Sequence, residues 1–165
     1  MKGFTPGLFD RLLGVPSRTA GGTPAAGARM SVDDMKDAVA RDLEALLNTR
    51  MVLPAGWLQG YPECSKSIVS YGMNDFADLS LSSPADRATI CASIETTIAC
   101  HEPRLRNVKA ALEMRAGAVN RLDFSITALL VLNSAQESVN FDAVLQPSTL
   151  SYSINKAGRP APVGA

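Results

Sequence analysis

One histidine, one tryptophan and three cysteines in 165 residues leave little room for most site chemistries. His101 is the only imidazole, so any histidine-dependent triad must use a residue two positions before a helix-breaking proline, Pro103. Cys64, Cys91 and Cys100 are odd in number and have neither paired nor metal-ligand spacing. Cys91 and Cys100 are nine positions apart, which at about 100° per residue sets them on opposite sides of one helix, out of reach of a disulfide. A reducing compartment is expected, with the thiols packing as small apolar groups. No apolar run approaches the roughly 18 residues of a membrane span, and Met1-Lys2-Gly3-Phe4 leads into no signal-peptide core. A cytoplasmic protein is the expectation. Charge bias is absent too: sixteen basic and sixteen acidic residues cancel, which argues against a phosphate-tracking or anionic-membrane partner.

What is present fits one globular domain with a real core, given the length and a 46% hydrophobic content. The central stretch is Cys100-His101-Glu102-Pro103-Arg104-Leu105-Arg106, where helical spacing gives way to alternation. Pro103 stops a helix arriving from Pro84, and Glu102, preceding a proline, is biased to extended backbone. Alternate side chains of an extended segment share a face, so Glu102 and Arg104 are expected to form a stiffened acid-base pair at a helix-to-strand corner.

Taken in order, Leu8, Phe9, Leu12 and Leu13 make a short amphipathic face, followed by a Gly/Ala/Pro-rich tether from Val15 to Arg29. Residues 1–30 are read as a docking segment and linker. The segment either folds into a groove on another protein or packs back on its own domain. Ser31, with Asp34 three positions on, opens a helix over about 32–48. Its acidic residues Asp33, Asp37, Asp42 and Glu44 are expected to be solvated surface.

From Thr49 to Ser83 prolines and glycines dissolve the pattern, apart from a strand-like Ser67 to Tyr71. Trp57, Tyr61 and Tyr71 are expected to anchor this loop to the core, with ligand stacking as their other use. Ser83-Pro84-Ala85-Asp86 starts a second helix carrying an Ile90, Cys91, Ile94, Ile98 stripe. Alternation then predicts strands from Val108 to Met114, Leu122 to Leu132, Val139 to Leu145 and Thr149 to Asn155, with a turn at Gly117–Asn120. The fold class expected over 31–156 is α+β, two helices on one face of a mostly antiparallel four-stranded sheet, with a frayed tail over 157–165. The last strand, bearing Leu150, Tyr152 and Ile154, is a candidate open edge for a partner strand.

For catalysis, no serine shows a nucleophile elbow and nothing forms a phosphate loop. Glu102 with Asp75 or Asp78 could supply the two carboxyls of glycoside hydrolysis, but a general acid must carry its proton, and Arg104 opposes that. An interface fork or an ordinary surface pair are the other uses of Glu102 and Arg104.

Several stretches together carry a family resemblance: Leu8 to Leu13, Asp42 to Arg50, Ser70-Tyr71-Gly72 with Asp75, Glu102-Pro103-Arg104-Leu105, Leu122-Phe124-Ile126 and Phe141-Asp142. In this order over residues 7–156 the chain resembles the TssE family, the baseplate wedge subunit of bacterial type VI secretion, similar to the lysozyme-named wedge protein of contractile-tail phages. The resemblance implies a non-enzymatic baseplate component without cofactor or metal, assembled near the inner face of the cytoplasmic membrane. It marks Glu102, Pro103 and Arg104 as the family's hallmark and Leu8 to Leu13 as a contact to other wedge subunits. It also implies that the final strand joins the contractile sheath by strand augmentation. The long Pro16–Arg29 stretch departs from the family pattern.

Overall fold

Ser31 opens the first helix by a reciprocal cap: its hydroxyl accepts from the Asp34 N–H at 3.1 Å and the Asp34 carboxylate accepts from the Ser31 N–H at 3.1 Å. Such a cap is worth about 1 kcal/mol. The computed structural model describes residues 31–53, 56–76, 78–80, 82–113, 122–132, 135–146, 149 and 151–156. Helix α1 spans Val32–Asn48 and buries Val39, Leu43, Leu46 and Leu47. Helix α2 spans Pro84–His101, capped by the Ser83 hydroxyl accepting from Asp86, and buries Ile90, Ile94 and Ile98. Both helices begin and end where the cap residues and Pro103 place them.

Four strands follow, β1 Leu105–Glu113, β2 Leu122–Leu132, β3 Ala135–Gln146 and β4 Ser151–Lys156. They pair antiparallel in the order β1-β2-β3-β4. The registers Ile126↔Phe141, Phe124↔Ala143 and Ala143↔Ile154 stack apolar residues on one face. Both helices cover that face, closing one core in which Val39, Leu43, Ile94, Ile126 and Phe141 are fully buried. Thr127, Asp142 and Ser153 on the other face are exposed. This is the α+β two-layer domain expected.

Several details differ from the sequence expectation. Ser67 to Tyr71 is no strand; Cys64–Lys66 and Ile68–Ser70 are 3₁₀ turns. The serines explain this: Ser67 Oγ accepts from the Val69 N–H at 3.2 Å and Ser70 Oγ donates to the Ser65 carbonyl at 2.8 Å, so local hydroxyls do the work of a ladder. Strand β3 is longer than 139–145, because pairing with β2 runs out to Leu132↔Ala135 whatever the polarity of Gln136 and Glu137. Strand β1 starts at Leu105, with a bulge between Arg106 and Lys109 that uses Asn107 at φ 53°. Trp57 and Tyr61 are 70% and 65% exposed, so of the three loop aromatics only Tyr71 packs on the core. The turn expected at 117–120 lies outside the described residues.

The long loop is tied back to the end of α1. Met73 N–H donates to the Thr49 carbonyl at 2.8 Å and Met51 N–H to the Met73 carbonyl at 3.0 Å. Gly72 makes this crossing possible: its φ is +116°, and a Cβ there would sit 2.6 Å from the Thr49 carbonyl oxygen.

Candidate interface at the corner and the sheet edges

Glu102 caps the C-terminus of α2, and its φ of −118° and ψ of 85° take the chain out of the helix. Two residues on, Arg104 turns back onto it as the spacing predicts. Glu102 Oε1 accepts from the Arg104 backbone N–H at 3.1 Å and from Arg104 Nε at 2.7 Å, and Oε2 accepts from Arg104 Nη2. Nη2 also donates to Asp42 Oδ2 of α1. Burial works against the Arg104 charge, but the hydrogen bonds and charge of Glu102, then of Asp42, outweigh it and hold the guanidinium above its ordinary pKa. The Arg104 carbonyl accepts from the Val131 N–H of β2 at 2.8 Å. The corner therefore joins α1, α2, β1 and β2. Glu102 is 5% exposed, Pro103 is exposed, and Arg104 keeps a partly exposed rim beside Asp42. Asp42, expected as solvated surface, is the third member of the clamp; 62 residues separate it from Arg104, a distance no local pattern reports.

The last two residues of α2 hold the loop beside the corner. Cys100 Sγ donates to the Ser65 carbonyl at 3.0 Å, and His101 Nε2 lies 2.9 Å from the Ser70 carbonyl oxygen and 3.5 Å from Ser70 Oγ. The His101 ring meets Tyr71 edge-on at 5.4 Å. Burial first, then the charges of Asp42 and Glu102, push the Tyr71 phenol up. Ser70 and His101 do not read as a nucleophile and base. The imidazole nitrogen facing Ser70 has the Ser70 carbonyl closer than the hydroxyl, and the hydroxyl proton is spent on Ser65.

The sheet edges correct a second expectation. The outer backbone of β4 is not open along Tyr152 and Ile154. Tyr152 N–H donates to Asn48 Oδ1 at 2.7 Å, Asn48 Nδ2 donates to the Tyr152 carbonyl at 2.9 Å, and Ile154 N–H donates to Glu44 Oε2 at 2.8 Å. The side chains of Tyr152 and Ile154 are 2% and 6% exposed and point into the chain's own core. At the other edge, Ala110 N–H of β1 donates to Glu95 Oε1 of α2 at 2.9 Å. Burial pushes the Cys91 thiol up, opposed by its hydrogen bond to the Leu112 backbone.

The acidic face of α1 is thus largely engaged: Asp37 pairs with Lys156 at 2.7 Å, Asp42 with Arg104, and Glu44 caps β4. Sequence reading missed Glu44 and Asn48 as partners of β4. Their four-residue spacing on one face was visible, but nothing showed that β4 lay opposite. Leu8, Phe9, Leu12, Leu13 and Leu150 lie outside the described residues. No helix among the described residues is long and apolar enough to cross a membrane.

Against known families, the model of one described as baseplate wedge protein gp25 matches residues 33–135, from the first turn of α1 to the start of β3. Among curated proteins none matches the chain.

Proposed function

The chain belongs to the baseplate wedge protein gp25 family, and from that premise we propose a non-enzymatic adaptor of a type VI secretion baseplate that joins other wedge subunits and templates the contractile sheath. The observation that carries the non-enzymatic part is the state of Glu102. A general acid needs a protonated oxygen facing its substrate. Both Glu102 oxygens instead accept from Arg104, and the residue is 5% exposed. A guanidinium nitrogen of Arg104 also bridges Glu102 to Asp42, so the carboxylate faces a fixed cation.

In this reading the clamp fixes the corner, so that the exposed Pro103 and the rim of Arg104 and Asp42 meet a partner in a set geometry. Leu8, Phe9, Leu12 and Leu13 dock on other wedge subunits. The outer edge of β4, along Tyr152 and Ile154, receives a sheath strand once its caps are displaced, and Leu150 is a further contact. The assembly sits in the cytoplasm, at the inner face of the membrane.

The test is co-purification of baseplate wedge and sheath proteins with the wild type beside Glu102→Ala and Arg104→Ala variants whose folding is checked first. Folded variants that lose either partner support the adaptor role, and full recovery of both would count against a partner-facing corner. The second reading, a peptidoglycan-active glycosidase with Glu102 as acid, predicts muramidase turnover that Glu102→Gln abolishes. Such turnover with wedge binding intact would overturn the adaptor reading.

A further inference from the structure

On the outer edge of β4, side chains of α1 stand where the backbone of a fifth strand would be. Asn48 both accepts from and donates to Tyr152, the two-bond exchange an antiparallel neighbour would make, and Glu44 takes the next outward amide, that of Ile154. The spacing works because four helical residues rise about 6 Å and two strand residues about 6.6 Å, so side chains at i and i+4 meet alternate strand residues. Two-residue alternation turns the backbone of Lys156 the same way, and its ammonium reaches Asp37 at 2.7 Å.

The β1 edge is closed by the same device, Glu95 on Ala110, but there Glu102–Arg104 alone join α2 to β1 and hold the helix to its strand. Asn48 and Glu44 come from 104 and 110 positions away, and no short connection ties their helix to β4. Asn48 is exposed and Glu44 half-buried, so both can swing to water without uncovering the core. Beneath the same strand, the buried Tyr152 hydroxyl has no hydrogen-bond partner among the described residues, so β4 is held at a polar cost.

We infer that Glu44 and Asn48 form a displaceable latch over a strand-acceptor edge: an extended segment of a partner protein pairs with β4 in their place, and until then the latch prevents β4 from pairing with a second copy of the chain. That a partner strand takes this edge rests on the adaptor reading, whereas the block on self-pairing does not. A bare edge templates self-pairing, so unlatching has a consequence that needs no partner.

The experiment is sedimentation of the full chain against concentration, for the wild type, Glu44→Ala/Asn48→Ala, and the same double variant with Lys156→Pro. The proline removes one outward N–H of β4 and blocks a neighbouring strand. The wild type should stay monomeric, the double variant should dimerise, and Lys156→Pro should weaken that dimer at least tenfold. A folded double variant that stays monomeric, or a dimer indifferent to Lys156→Pro, overturns the latch. Should the double variant melt below the working temperature, Asn48→Ser, which shortens the side chain across the two Tyr152 bonds, carries the same two outcomes. Because no wedge or sheath protein enters this test, its failure leaves the adaptor reading to the co-purification result.

Discussion

The two ends of the sheet are closed by the same chemistry on different terms. At β1 the capping helix is covalently adjacent, and the connection itself carries Glu102 and Arg104, clamped to Asp42 of α1. At β4 the capping helix is remote in sequence and the seam is made of an amide, a carboxylate and a surface ion pair. The first arrangement fixes geometry, and the second covers an edge it can give up. The proposed adaptor role would use the first as a rigid corner and the second as a strand edge.

The largest effect is expected from breaking the corner. Arg104→Ala leaves Glu102 buried without its cation and removes the tie to α1, which should cost about 3–5 kcal/mol in chemical denaturation. A loss below about 1 kcal/mol would show that the pair is an ordinary surface contact. Next, Gly72→Ala forces a Cβ toward the Thr49 carbonyl at φ +116° and should cost about 1–3 kcal/mol, loosening the loop beside the corner. A neutral result would mean that the Thr49–Met73 crossing contributes little.

The edges themselves are compared by Asn48→Ala and Glu95→Ala. The first strips both outward groups of Tyr152, the second leaves one Ala110 amide unpaired. Each should cost about 1–2 kcal/mol, and only Asn48→Ala should bring concentration-dependent association. Equal association from both would erase the distinction between them.

The smallest effect sharpens the β4 side and is a gain. Tyr152→Phe removes a buried hydroxyl without a partner and should raise stability by about 1 kcal/mol, seen as a melting temperature a few degrees higher. It also has a pH signature. Burial pushes the Tyr152 phenol up to about 12 from 10.0, the charge of Arg50 pulling the other way. Its contribution is therefore fully present below about pH 10 and lost as pH rises through about 12, because the unfolded phenol ionises first. In Tyr152→Phe that part of the alkaline destabilisation should vanish, leaving the share due to Tyr71, whose phenol burial also raises.

Most of the fold was legible because it is written in local signals. Ser31 with Asp34, Ser83-Pro84 and Pro103 mark helix ends that no distant contact alters, and the alternation from Leu122 to Leu132 marks the central strand. What could not be read is what depends on long-range company. The 3₁₀ turns at Ser67–Ser70 follow from hydroxyls meeting particular carbonyls, and the extension of β3 from the length of its neighbour. In the candidate site, the Glu102–Arg104 fork was visible from a two-residue spacing around a proline, whereas its third member, Asp42, was not. Nor were the caps Glu44 and Asn48, since an acidic helix face looks the same whether it meets water or a strand edge.

Native-state hydrogen exchange of the wild-type chain, following the Tyr152 and Ile154 amides beside that of Ala110, tests the difference between the two edges most directly. All three are hydrogen-bonded to helix side chains and should be protected, with Tyr152 and Ile154 exchanging through a local opening at least tenfold faster than Ala110, whose exchange follows the core amide of Ile126. Equal rates at both edges would contradict a releasable β4, and unprotected Tyr152 and Ile154 amides would contradict the caps themselves.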